Sequence, residues 1–174
     1  MISTEYVLSE QPFVVRRRVR WGECDPAGVV YTATFSDYVI SVAELFYGSL
    51  FGGTPQAVKD RHGFGTPTRA LEFDFRRSLW PDDTFDIGVE VEGIRTRTFT
   101  LLMTARKADG EIAFVARLTP VCIQRGKRES IEMPAVLREA LDQYQTRCRT
   151  SYRTSCQTGC EAAGATTFAG EPTP

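Results

Sequence analysis

The sequence predicts an α+β fold, one long amphipathic helix laid over an antiparallel sheet of about five strands. Two observations carry the prediction. Apolar residues recur at three- and four-residue steps from Ala33 to Leu50, the period of a helix with one buried face. After Pro67 the apolar period shortens to two and returns in successive runs as far as Gln124.

The first element is a strand, Phe13 to Trp21, with Phe13, Val15, Val19 and Trp21 on apolar positions and arginines between them. A Pro/Gly turn follows. The helix comes next, with Phe35, Tyr38, Val39, Val42, Leu45, Phe46 and Leu50 on one face. Gly52-Gly53-Thr54-Pro55 ends it, since glycine accepts a left-handed cap and proline cannot continue the helix. Gln56 to Thr66 reads as a loop or short helical stretch. The sheet then continues as a meander. Leu71, Phe73 and Phe75 alternate with charged residues, and Trp80-Pro81-Asp82-Asp83 turns the chain. Phe85, Ile87, Val89 and Val91 form a second run, and Phe99, Leu101, Met103 and Ala105 a third, closed by the hairpin pair Asp109-Gly110. Ile112 to Gln124 is the last, where Pro120 marks a bulge or an edge. Pro134 to Tyr144 reads as a short helix with proline in its first turn. From 146 to 174 Thr, Ser, Gly, Ala and Pro dominate, which reads as a disordered tail behind a domain spanning 10–145.

Bulk properties narrow the partners. A chain of 174 residues with 42% hydrophobic and 25% charged residues suits one globular domain. A net charge of −1 exerts no global pull on nucleic acid or an anionic membrane, so neither is expected as a partner. The N-terminus lacks a basic segment followed by an apolar one, and no apolar run is long enough to span a bilayer; the expected location is cytoplasmic. Five cysteines fit a reducing compartment, and their spacings match no zinc pattern, so no metal is expected. Cys122 lies in a strand-like run and reads as core. The single histidine, His62, has no partner signal for acid–base work.

Chemistry concentrates in Gly22-Glu23-Cys24-Asp25-Pro26-Ala27-Gly28-Val29-Val30-Tyr31. It sets one carboxylate, Asp25, on a tight turn just before a helix N-terminus, whose free N–H groups and dipole polarise a carbonyl. That pairing has the parts to hydrolyse an activated acyl group. Glu23 reads as structural or solvated.

The Trp21 to Tyr31 segment, the helix behind it and Gly65-Thr66-Pro67 resemble the 4-hydroxybenzoyl-CoA thioesterase family, in its branch with the aspartate ahead of the helix. The resemblance implies a hot-dog fold, hydrolysis of an acyl-CoA thioester without cofactor, and a homodimer or homotetramer with active sites at a subunit interface. It also implies that Asp25 is the catalytic carboxylate, as nucleophile or as general base, and that Thr32 presents the backbone N–H to the thioester oxygen. Tyr31, Ala33 and Thr34 would shape the turn, and Gly28 would admit the substrate closely. Arg95 with Arg97, and Arg125 with Arg128, are the candidates for the CoA phosphates, while Arg76 and Arg77 read as ordinary surface. Ile40 stands where the family often carries a second carboxylate, which suits a more hydrophobic acyl group. The alternatives are an acyl-carrier-protein thioesterase, a hot-dog lyase and a non-catalytic acyl-thioester-binding protein.

Overall fold

The computed structural model describes residues 4–161 and contains one six-stranded antiparallel sheet. In chain order the elements are β1 (Glu5–Glu10), β2 (Phe13–Arg18), a 3₁₀ turn (Trp21–Glu23), α1 (Thr34–Phe51), α2 (Pro55–His62), β3 (Phe64–Gly65), β4 (Thr68–Phe75), β5 (Thr84–Ile94), β6 (Phe99–Lys107), β7 (Ile112–Pro120), β8 (Ile123–Gln124) and α3 (Ala135–Glu161). The strands run β1-β2-β5-β6-β7-β4 across the sheet, and β3 pairs with β8 in a separate ribbon.

The core forms between α1 and one face of the sheet. Inward residues of the strands (Phe13, Val15, Phe85, Ile87, Val89, Leu101, Met103, Ala105, Phe114, Ala116) are buried together with Phe35, Tyr38, Val39, Val42, Ala43 and Phe46 of α1. Edge-on ring contacts of Phe35 with Phe73, Phe75 and Phe114, and of Phe13 with Phe46, tie the helix to both flanks of the sheet. This is the hot-dog arrangement, a long helix wrapped by a sheet.

Several expectations are met locally. α1 begins one residue after Ala33, and Gly52 caps it at φ 63° with its N–H donating to the Gly48 carbonyl. The Asp109-Gly110 hairpin forms with Gly110 at φ 87°. A bulge falls in β4 between Thr68 and Ala70, opposite Thr119 and Pro120.

Other features differ. The sheet has six strands, because residues 5–10 add β1 at one edge. The four later strands are not a simple meander: β2 occupies the free edge of β5, so β4 pairs with the outer edge of β7. β2 stops at Arg18, and Trp21 faces out, 77% exposed, with its indole N–H on Asp82 Oδ2 at 3.2 Å. The run after Pro120 leaves the sheet to form β8. α3 continues past Tyr144 to Glu161, since no proline or glycine interrupts 145–158. β1 and the later half of α3 thus lie outside 10–145, and the expected tail beyond 161 lies outside the described residues. Cys148 packs against the core. Among the described residues no helix is long and apolar enough to cross a membrane.

α3 locks the far end of the sheet. The Tyr144 hydroxyl accepts from Phe13 N–H at 2.9 Å and donates to the Val89 carbonyl at 2.7 Å, both buried, and its ring packs on Phe46. Gln145 Nε2 donates to the Val91 carbonyl, beside the bulge at Val91/Gly93. Tyr144→Phe leaves a buried N–H and a buried carbonyl without their shared partner, so we expect a loss of about 1–3 kcal/mol in chemical denaturation with the fold retained.

Candidate active site

The segment from Glu23 to Thr34 folds as a compact loop at the head of α1. Its shape is set by its own backbone: Asp25 N–H donates to Val29 O and Gly28 N–H to Asp25 O, each at 2.9 Å. Gly28 takes φ 82°, a conformation that needs glycine at the tip of this turn. Asp25 is half-buried, and its Oδ1 accepts from the Ala27 N–H at 2.8 Å, leaving lone pairs of both oxygens for other partners.

The head of α1 is wound tightly. Thr34, Phe35 and Ser36 N–H donate back to Tyr31, Thr32 and Ala33 carbonyls. The N–H groups of Thr32 and Ala33 meet no acceptor among the described residues. They are the donors that the helix leaves open at its positive end. Tyr31, Thr32 and Ala33 are exposed, and Thr34 Oγ1 donates to the Glu23 carbonyl.

Beside this loop lies a cleft of about 380 Å³, walled by Val29, Thr32, Phe35, Phe75, Arg77 and Leu79 with Arg76 and Ser78. Arg76 and Arg77 therefore sit at the site, each also paired with a surface carboxylate, Asp74 and Glu111. A larger groove of about 1170 Å³ runs over the opposite face of the sheet, between Val14, Gly88 and Thr104 and the Tyr144 to Arg149 part of α3. It holds none of the loop residues.

Glu23 is the buried anchor of the loop. Its Oε1 accepts from Arg17 Nη2 at 2.8 Å and Arg20 Nε at 3.0 Å, and its Oε2 accepts from Arg20 N–H at 2.8 Å and the Tyr38 hydroxyl at 2.9 Å. Arg17 also reaches Glu5 Oε1 at 3.0 Å and lies 4.2 Å from the Tyr38 ring centre. Burial opposes the charge on Glu23, but the Arg20 N–H and the Arg17 and Tyr38 side chains outweigh it and hold its carboxyl below the usual 4.5. Burial, then its hydrogen bond to Glu23, pushes the Tyr38 hydroxyl up. Cys24 is no nucleophile candidate: burial and the charges of Glu23 and Asp25 push its thiol up, the reverse of thiolate activation.

The structure brings Asp25, Gly28, Tyr31, Thr32, Ala33 and Thr34 together. It does not bring the four candidate phosphate-binding arginines to them. Arg95 and Arg97 lie on the β5–β6 turn, where Arg97 Nη1 donates to Ser130 Oγ. Arg125 and Arg128 lie on the turn after β8, where Arg125 pairs with Asp60 and its N–H meets Gly63 O. Both turns stand at the C-terminal end of α1, an 18-residue helix about 27 Å long. His62 is exposed at the end of α2, on that same side. Ile40 is exposed on α1. Sequence reasoning missed Arg17 and Tyr38; the signal was a charged residue at an inward position of β2, in step with Phe13 and Val15.

Because its carboxyl is lowered, Glu23 contributes its stabilisation in full above about 4.5 and loses it as pH falls through the lower folded value. Chemical denaturation should therefore show wild-type stability declining on acidification below pH 4.5. Glu23→Gln, less stable at neutral pH, should flatten that decline.

The Thioesterase-like superfamily profile matches residues 19–141. An Aquifex aeolicus protein carrying an esterase name is 28% identical over 131 residues, covering 74% of this chain and 99% of its own. A Staphylococcus aureus protein solved in complex with CoA superposes with a TM-score of 0.71 at 16% identity, over 77% of this chain and 84% of its own. The 1,4-dihydroxy-2-naphthoyl-CoA thioesterase of Synechocystis gives a TM-score of 0.67 at 21% identity, over 74% and 94%.

Proposed function

The chain belongs to the thioesterase-like superfamily, and we propose that it hydrolyses an acyl-CoA thioester at the loop before α1, with Asp25 as the catalytic carboxylate. The observation that carries this reading is the half-buried Asp25 on the turn that leads into α1, whose N–H groups at Thr32 and Ala33 are open. The thioester carbonyl oxygen takes the Thr32 N–H. As the carbonyl carbon becomes tetrahedral, the growing negative charge on that oxygen meets the positive end of an 18-residue helix. Asp25 acts in one of two ways. As nucleophile, it forms a C–O bond while the C–S bond breaks, giving an acyl-aspartyl anhydride and CoA thiolate, and water then cleaves the anhydride. As general base, it takes a proton from a water that attacks directly. Either route ends in free acid and CoA, the proton lost by the attacking water supplying the one that the CoA sulfur needs on leaving.

The acyl group fits the cleft beside Thr32. Phe35 and Phe75 give it aromatic walls and Val29 and Leu79 aliphatic ones, a lining suited to a flat aromatic or medium-sized acyl group. The relative acting on 1,4-dihydroxy-2-naphthoyl-CoA supports the aromatic choice, and the relative solved with CoA supports the carrier.

The nucleotide end of CoA needs cations beyond Arg76 and Arg77, which line the acyl cleft itself and pair with Asp74 and Glu111; Arg95, Arg97, Arg125 and Arg128 stand a helix length away in the same subunit. A homodimer resolves this. β4 is an edge strand whose Phe75 end borders the cleft and whose Thr68 end adjoins the 121–125 segment. Antiparallel pairing of β4 with its copy about a two-fold axis puts the partner subunit's basic end beside each cleft. Phe75, 48% exposed on this edge, gains cover in that arrangement.

Thiol release from benzoyl, hydroxybenzoyl, phenylacetyl and C4 to C12 acyl-CoAs tests the reading. Asp25→Asn should lower turnover by orders of magnitude with little change in ligand affinity or thermal stability. An equally active variant removes Asp25 from the mechanism, and silence of the wild type with CoA esters still bound leaves the non-catalytic alternative. Replacing Arg95 and Arg97 by alanine should raise KM for the CoA thioester and leave the matching acyl-pantetheine thioester, which lacks the nucleotide phosphates, unaffected.

A further inference from the structure

We infer that Glu23 and Tyr38 are positioning residues, setting the place of the Asp25 carboxylate relative to the open N–H groups of Thr32 and Ala33. The inference rests on the thioesterase reading and adds to it two groups assigned no contact with the thioester.

The internal hydrogen bonds of the loop fix its shape and not its place. Asp25 N–H to Val29 O and Gly28 N–H to Asp25 O would survive if the whole turn swung on its two ends. Two anchors hold its strands: Val30 is buried in the core with its N–H on Leu79 O, and Cys24 packs against the core with its N–H on Trp21 O. The polar ties at the two ends converge on Glu23. At the entry, the Glu23 carboxylate is gripped by Arg17 from β2 and by Arg20 through both side chain and N–H. At the exit, Tyr31 N–H donates to the Glu23 carbonyl at 2.9 Å, and Thr34 Oγ1 reaches the same oxygen at 3.4 Å. One residue thus holds both ends of the loop.

Tyr38 gives that residue its register along α1. It stands one turn below Thr34 on the same helix, and its hydroxyl donates to Glu23 Oε2 at 2.9 Å. The ring cannot move to compensate, since it is fully buried, lies under the Arg17 guanidinium and packs on Phe35 and Phe85. The chain of contacts runs from a fixed point on α1, through the Glu23 carboxylate to the entry of the loop that carries Asp25, and from the carbonyl of the same residue to its exit. The oxyanion donors belong to the same helix. Tyr38 and Glu23 therefore set the separation between the attacking group and the group that polarises its target. Sub-ångström placement of that kind governs the rate of attack more than the affinity for substrate.

Tyr38→Phe and Glu23→Gln in the full chain test this. The first removes one hydroxyl and keeps the ring; the second keeps the shape and removes the charge. With the best thioester of the panel, each should lower kcat by about tenfold or more and leave KM within about twofold. The double variant should lose no more than Glu23→Gln alone, because both act through one contact. Amide hydrogen exchange is the second readout, and it needs no substrate. Peptides covering 24–33 should exchange faster in both variants by more than the loss of global stability, measured by chemical denaturation, accounts for, while those covering β5 and β6 change by no more than that loss. Exchange over 24–33 no faster than that loss accounts for, in folded Glu23→Gln and Tyr38→Phe, overturns the inference, and so does unchanged kcat. If the wild type cleaves no thioester, the thioesterase reading fails separately. The exchange comparison then decides alone: exchange faster than that loss accounts for upholds Glu23 and Tyr38 as the tie that places the turn, and exchange no faster refutes it.

Discussion

The site end of this protein depends on keeping one carboxylate ionised in the interior. Glu23 is 7% exposed, and an unpaired charge there would be expelled or neutralised. Two guanidinium groups, a backbone N–H and a phenol surround it instead. Such a cluster adds little over a well-packed apolar one, because desolvation consumes much of the attraction. Loss of one member, however, costs about 3–5 kcal/mol by stranding the others. The cluster is better understood as a device for definition than for strength. It admits one arrangement of β2, the loop and α1, where an apolar contact would tolerate many.

The fold was legible wherever one short stretch contains its own reason. The α1 periodicity, the Gly52 cap and the Asp109-Gly110 hairpin are local, and each formed at or within a residue of its expected place. Strand order was not, because it turns on which edge is already occupied. β4 had alternation as clear as that of β5, but nothing in 68–75 says that β2 holds the edge beside β5. β1 escaped notice because Tyr6, Val7 and Leu8 lie together without alternation and remain partly exposed on an edge strand. The composition of 146–161 reads as a tail, yet nothing in 145–158 breaks a helix already started.

The candidate site divides the same way. Asp25, Gly28 and Thr32 sit within eight contiguous residues, so one stretch of sequence reveals them together. The cluster around Glu23 joins residues 5, 17, 20, 23 and 38 across β1, β2, the 3₁₀ turn and α1, and only the inward parity of Arg17 hinted at it. The arginine pairs were visible as charges, but charge carries no address. Placing them took the direction of β5 and the path of the chain after Pro120, both set by long-range pairing.

The hydrogen bond from Phe13 to Tyr144 joins groups 131 residues apart, and this orders events during synthesis. The second strand of the sheet leaves the ribosome early, but the acceptor for its first buried N–H is among the last parts of the described chain to be made. The strands that cover α1 are complete only at Pro120. The nascent chain carries the apolar face of α1 exposed until then, in the hands of whatever chaperones meet it, and native closure at the Phe13 end waits for the C-terminal helix to arrive.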